Sequence, residues 1–273
     1  MRLIFLKLGG SLITDKSKRE RAREEIIRRA AQEVKMALQQ DEGLQLVLGH
    51  GSGSFGHFVA ERYGTQRGII DERSWWGYAE TGATAARLNR LVTDLFLAQG
   101  VPVVSLQPSA SARCRDGELV HLGIAPLRQL LSHRLVPLVY GDVALDEARG
   151  CTIISTEQIF AYLAHHLKPA WIVLAGDVEG VFTADPKLHP EAQLIPEITP
   201  QNIAQVEGQL AESESERPSA DVTGGMLTKV RIMYTLVQRQ PGLEVRLISG
   251  RRPGLIRRAL LETDFTAGTI ISK

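Results

Sequence analysis

Four side chains of a type that handles phosphate stand beside glycine-rich turns. Lys7 and Lys16 flank Gly9-Gly10-Ser11, Lys229 follows Gly224-Gly225 by a helical turn, and His57 closes the run His50-Gly51-Ser52-Gly53-Ser54-Phe55-Gly56-His57. Three glycines and two serines in those eight residues let the backbone approach an anion closely and aim its N–H groups at it. A helix starting just afterwards, from Phe58-Val59-Ala60-Glu61, would add positive potential. The same residues would also serve an ordinary tight turn. Lys7 is the more informative lysine, because an ammonium inside a short parallel strand is costly unless it meets an anion at the strand end. Lys16 and Lys229, taken alone, read equally as solvated charges. His57 lies at the carboxyl end of a strand, where open α/β sheets bind ligands; its alternative is a partly exposed loop histidine. The glycine spacing matches neither the dinucleotide fingerprint nor the Walker pattern, and no Ser-His-Asp order, zinc spacing or HExxH occurs. The chemistry these groups suit is the holding of several phosphates.

Positioning such groups requires a strand before each turn. Arg2 to Leu8 reads as a buried strand, followed by a charged helix whose apolar stripe is Ile26, Ile27, Ala30, Val34, Ala37 and Leu38, and then by the strand Leu44 to Leu48. A β-α-β opening of this kind favours a parallel, right-handed unit. A long helix is expected over Ser74 to Ala98 with Leu88, Leu91, Val92, Leu95 and Phe96 inward, then a strand at Val101 to Leu106, a helix at Ala125 to His133 and a strand at Leu135 to Tyr140. Val143 to Asp146 and Cys151 to Ile154 suggest a hairpin inserted among the parallel strands. Further helices are expected over Glu157 to Leu167, Gln201 to Leu210, Met226 to Gln238 and Gly254 to Leu261, and strands at Ala170 to Leu174, Glu244 to Ile248 and Gly268 to Ser272. Ala211 to Ser219, with three Glu, three Ser and a Pro, reads as a mobile loop. The alternation predicts an α/β fold, a three-layer αβα sandwich on a mostly parallel open sheet, with residues 1–273 forming one domain.

Composition narrows the function. The chain has 273 residues and a formal net charge of +1, so no global field points to nucleic acid or to a membrane surface. Cys114 and Cys151 are far apart and lack metal spacing, which suits reduced thiols in a cytoplasmic protein. The apolar start Leu3-Ile4-Phe5-Leu6 is too short for a signal-peptide core or a membrane span.

Several runs together resemble the amino acid kinase family along the whole chain: Lys7-Leu8-Gly9-Gly10-Ser11, Asp177-Val178-Glu179-Gly180-Val181-Phe182 followed by Asp185-Pro186, Asp221-Val222-Thr223-Gly224-Gly225-Met226 with Lys229, and Gly268-Thr269-Ile270-Ile271. Within that family, the run Gly9 to Lys16 and the histidine loop are similar to those of the kinases acting on isopentenyl phosphate, with the fosfomycin-phosphorylating kinases as nearest rivals. The resemblance implies an ATP-dependent kinase making isopentenyl diphosphate, with Mg²⁺, a small-molecule acceptor and a homodimeric state. It further implies that Lys7, Gly9, Gly10, Ser11 and Gly53 contact ATP phosphates, that Lys16 stabilises the transferring group, and that Asp177, Gly225 and Lys229 serve the nucleotide, while Ser52, His57 and Thr156 serve the acceptor. No residue is assigned as a metal ligand. The nucleotide part would start near residue 170. Many relatives have Ser-Gly-Asp where this chain has Ser155-Thr156-Glu157. The Thr lacks glycine's freedom of close approach and the Glu is longer by one methylene.

A phosphate monoester acceptor is mostly a dianion at neutral pH and needs no general base, which agrees with the lack of an obvious one. A phosphonate or another alkyl monophosphate would satisfy the same chemistry, and a non-catalytic nucleotide sensor is the reading from another class. For an apolar tail, the helix opening with Trp75, Trp76 and Tyr78 offers a small-residue face at Ala79, Gly82, Ala83 and Ala86, expected to bound the acceptor pocket.

Overall fold

The computed structural model describes residues 1–215 and 225–273. In chain order the strands are β1 (Arg2–Leu8), β2 (Leu44–His50), β3 (Val103–Ser105), β4 (Arg113–Arg115), β5 (Glu118–His121), β6 (Val136–Tyr140), β7 (Asp142–Asp146), β8 (Gly150–Ile154), β9 (Trp171–Gly176), β10 (Val181–Phe182), β11 (Leu194–Ile195), β12 (Glu197–Ile198), β13 (Glu244–Ser249) and β14 (Thr269–Ile271). The helices are α1 (Gly10–Ile13), α2 (Glu24–Gln40), α3 (Gly53–Tyr63), α4 (Glu72–Ala98), α5 (Ala125–Ser132), α6 (Thr156–Leu167), α7 (Ile203–Ser215), α8 (Met226–Arg239) and α9 (Leu255–Leu261).

Eight strands form the main sheet in the order β12-β14-β13-β9-β1-β2-β6-β3. Every pairing in it is parallel except β13 with β14. The pleat of β1 sorts its side chains into two cores. Ile4, Leu6 and Leu8 join α1, α2, α4 and α9 on one face; Phe5 joins α5, α6, α7 and α8 on the other. Lys7 shares the face of Phe5 by the same period, so its ammonium is delivered to the α6 and α8 side. The expected three-layer α/β arrangement is what forms.

Two capping boxes fix the helices that matter for the site. Asp71 and Ser74 cap α4, and Ser155 with Gln158 caps α6; a cap of this kind stabilises by about 1 kcal/mol.

Several expectations need correction. The β7–β8 hairpin forms, but it is not inserted among the parallel strands: it builds a separate four-stranded sheet, β5-β4-β7-β8, with two short strands that alternation alone did not reveal. Ala211 to Ser215 is not loop but the last turn of α7, where Leu210 and Val206 bury the helix's apolar side; residues 216–219 of that stretch, like Asp221-Val222-Thr223-Gly224 of the glycine motif, lie outside the described residues. The helix after the histidine loop begins at Gly53, five residues before Phe58, so most of the loop is the first turn of α3. No described helix is long and apolar enough to cross a membrane.

Candidate active site

The carboxyl ends of β1, β2, β6 and β9 open into one cleft, at the point where the chain passes from β1 to β2 on one side and later returns to place β9 on the other. That reversal of strand order is where open α/β sheets leave a crevice. The cleft is lined by Lys7, Gly9, Gly10, Ser11, Lys16, Ser52, Gly53, His57, Thr156, Glu157, Asp177 and Lys229, and it continues past Gly225 and Lys187. The structure therefore brings together the residues assigned to the nucleotide and to the acceptor phosphate, though not the expected pocket wall.

The two glycine turns are packed backbone on backbone. A Cβ on Gly10 would stand 2.6 Å from the Gly53 nitrogen, and one on Gly51 would stand 2.9 Å from the Gly10 nitrogen. Gly53 has φ +50°, a left-handed conformation, and donates the first helical turn of α3. These glycines are needed for contact between the turns as much as for approach to an anion, and the contact aims both loops at one space.

Lys7 is 5 % exposed and forms a buried ion pair with Glu157 in the first turn of α6. Burial alone would raise the Glu157 pKa, but the positive charges of Lys7 and Lys229 outweigh it and hold the carboxyl below its ordinary range. Glu157, one methylene longer than the Asp of many relatives, thus still reaches Lys7. On the other side of β1, Asp177 accepts from Lys187 at 3.0 Å; burial would raise its pKa, and Lys187 and Ser11 hold it low. Lys187 escaped the sequence reading, although it directly follows the quoted Asp185-Pro186.

The histidines divide into two kinds. His50 is fully buried: its Nδ1 faces the Gly51 carbonyl at 3.1 Å, its Nε2 faces Asn89 Oδ1 at 3.2 Å, and its ring stacks on Tyr140. Desolvation lowers its pKa to about 4, so it is neutral framework. His57 lies one turn into α3, in the cleft, with Nε2 3.8 Å from Glu61 and Nδ1 buried without a hydrogen-bond partner among the described residues. Beyond it Ala60, Thr81, Ala85, Ile153 and the buried carboxyl of Asp142 line the cleft, and Ala60, Val143 and Ile153 pack together with Tyr78 at this end.

This end also corrects the expected pocket wall. Ala79 and Ala83 are exposed, Ala86 is half-buried, and Trp75 and Trp76 are 48 % and 68 % exposed. The face of α4 turned to the cleft carries Tyr78, Thr81, Gly82 and Ala85 instead. Gly82 alone of the four expected small residues is buried, against Val143.

The model of the amino acid kinase family matches residues 2–249. An isopentenyl phosphate kinase of Methanothermobacter thermautotrophicus is 37 % identical over 99 % of this chain and 100 % of its own. One of Methanocaldococcus jannaschii is 32 % identical over 97 % and 99 %. A crystal structure of an isopentenyl phosphate kinase superposes with a TM-score of 0.83 at 35 % identity, covering 99 % of this chain and 100 % of that one. The chain belongs to the amino acid kinase family.

Two positions in this amino acid kinase differ in setting from the simple phosphate-contact picture. Thr156 is 1 % exposed, its hydroxyl donates to the His50 carbonyl at 2.7 Å, and its methyl occupies the space a Cβ on Gly49 would need. Its side chain therefore ties α6 to the end of β2. A Cβ on Gly225 would collide with the carboxylate of Glu214, which accepts from the Leu227 N–H at 2.9 Å. A side chain at position 225 would therefore displace the Glu214 carboxylate from the start of α8.

Proposed function

We propose that this chain transfers the γ-phosphoryl group of ATP to isopentenyl phosphate, giving isopentenyl diphosphate and ADP. The observation that carries this reading is the juxtaposition at one end of the cleft: the buried Nδ1 of His57, without a hydrogen-bond partner among the described residues, and a small chamber whose apolar walls are Ala60, Ala85 and Ile153. A phosphate monoester with a short hydrocarbon tail satisfies both surfaces. Lys7, Lys16 and Lys229, with the first turns of α3 and α6, face the space where the repulsion between two anionic substrates must be overcome. Phosphoryl transfer is accelerated chiefly by such positioning and charge stabilisation.

In this reading Lys7, Gly9, Gly10, Ser11, Gly53, Asp177, Gly225 and Lys229 form the ATP side, Lys16 stabilises the group in transit, and Ser52 and His57 grip the acceptor phosphate, with Thr156 acting by holding α6 in place. Residues 1–273 work as one unit, the part from about residue 170 holding the nucleotide. No cluster of three or more acidic, histidine or cysteine side chains that could cage a metal occurs among the described residues. Mg²⁺ would accordingly arrive on the nucleotide's own phosphate oxygens and would screen their charge. A homodimer in the cytoplasm completes the proposal, and light scattering tests the assembly.

The relatives described above are named for isopentenyl phosphate, which favours it over a phosphonate acceptor or a non-catalytic sensor. ADP release measured with isopentenyl phosphate, other alkyl monophosphates, fosfomycin or no acceptor decides among them. Turnover should depend on isopentenyl phosphate; equal release with fosfomycin, or none with any acceptor, rejects the reading.

A further inference from the structure

Lys16 sits on a loop that is closed at its base. Thr14 bridges Ala22, the Asp15 N–H donates to the Arg21 carbonyl at 2.8 Å, and the Arg23 N–H donates to the Ile13 carbonyl at 2.7 Å. Asp15 shapes the turn next to Lys16 by accepting from the Ser17 N–H at 3.0 Å and its hydroxyl at 2.7 Å. The far end of the loop is fastened elsewhere. The Arg21 N–H donates to Ser54 Oγ at 3.3 Å, and the Glu20 carboxylate receives Nε and Nη2 of Arg87, both at 2.9 Å. The hydrogen bonds from Arg87 hold the Glu20 carboxyl below its usual range. Glu20 adopts φ +50°, a conformation a non-glycine residue keeps only where its surroundings enforce it.

Both anchors sit on helices that line the acceptor end of the cleft, without lining it themselves. Ser54 lies on α3 three residues before His57, and Arg87 lies on α4 two residues after Ala85. The bidentate geometry fixes an angle as well as a distance, which a single contact would not. We propose that Glu20 and Arg87 are positioning residues: their ion pair registers the Lys16 loop on the helices that hold the acceptor, and so sets the distance from the Lys16 ammonium to the phosphate being transferred. This rests on the function proposed above and assigns it a device that touches neither substrate. The side chains are 27 % and 51 % exposed, so the pair adds little to global stability and its loss should act locally.

Glu20→Ala, Arg87→Ala and the double variant test this by two independent readouts, hydrogen exchange of the 15–22 segment and steady-state kinetics. Each single variant should exchange faster over 15–22, lose roughly 2–5-fold in kcat as the docked loop population falls, and keep KM for ATP within about twofold. The double variant should lose no more than either single, because the two residues act as one unit. Exchange and kcat like those of the unaltered protein, or losses that multiply in the double variant, would overturn the proposal. If the unaltered protein shows no turnover with isopentenyl phosphate, the functional reading fails by itself. Exchange then still decides the clamp: faster in the variants supports it, unchanged overturns it.

Discussion

Replacing Glu157 by Gln removes one charge from a pair whose side chains are 7 % and 5 % exposed, and leaves the Lys7 ammonium facing Lys229 without its carboxylate. Breaking a buried pair from one side costs about 3–5 kcal/mol, because the remaining charge stays desolvated. At roughly 2–4 °C per kcal/mol for chains approaching this size, Tm should fall by roughly 6–20 °C. In the proposed function Lys7 is also the strand lysine that meets the ATP phosphates, so kcat should drop by about 10²-fold, the lower range for losing a preorganised charge contact. ATP brings negative charge to the same place, so it should raise the Tm of the variant more than that of the unaltered protein. The acid dependence should change as well. The folded pKa of Glu157 lies below its ordinary 4.5, so its contribution is present above about that pH and is lost as pH falls through the folded value; the Gln variant lacks that loss. Differential scanning fluorimetry with and without ATP, combined with turnover assays, measures all of this. A Tm within about 2 °C of the unaltered protein, with kcat within threefold, would refute the view that Glu157 holds Lys7.

His57→Ala should cost at least ~10²-fold in kcat/KM for isopentenyl phosphate and leave KM for ATP nearly unchanged, with His57→Gln retaining part through its amide donor; steady-state kinetics over both substrates checks this. Lys16→Ala should lower kcat far more than it raises KM for ATP, and Lys16→Arg should restore it incompletely, since a planar fork does not replace a compact ammonium. Ala85→Leu should fill the chamber beside His57 and penalise longer alkyl monophosphates more than isopentenyl phosphate, with ~1–3 kcal/mol at stake per displaced methylene-sized contact, read as the ratio of kcat/KM values for C5 and C10 acceptors. His50, with a folded pKa of about 4 against an ordinary 6.5, makes stability fall as pH drops from 6.5 towards 4 because the unfolded chain takes up the proton first; the loss reaches about 3 kcal/mol, and urea unfolding of His50→Gln should show a flatter acid limb.

Much of this site is legible in the chain because its parts are local. A lysine within an apolar strand, a glycine pair directly after it and a histidine one turn into the next helix are each set by neighbours within a few residues, so their types and spacing betray them. The partners that complete the chemistry are not local. Glu157 is 150 residues from Lys7, so only the family resemblance marks its position, and the two meet because β9 returns beside β1 and brings α6 over the Phe5 face. Asn89, which meets His50 across 39 residues, is mute in the sequence. Thr156 shows the converse limit, since the sequence marks it for the acceptor while its hydroxyl is bonded to the His50 carbonyl and its methyl fills the space beside Gly49.

The phase of α4 is a different kind of miss, because the information was present. Its three aromatic residues Trp75, Trp76 and Tyr78 suggested an inward start, yet burial of a helix is set where its apolar side chains are dense, and in α4 that is the second half. Stepping back from Phe96, Val92 and Leu88 in turns of three and four reaches Ala85, Thr81, Tyr78 and Ser74. Three of these line or pack the apolar end of the cleft, and the fourth closes the capping box with Asp71. Trp75 and Trp76 fall outside that stripe and stay in solvent whatever their hydrophobicity, while Ala79 and Ala83 fall on the outer side. A long helix spanning both a dense core and a substrate chamber must keep one phase throughout. The chamber-facing residues are therefore those in register with the core, and the small Ala85 among them leaves the space that, in the proposed reading, an acceptor's tail fills.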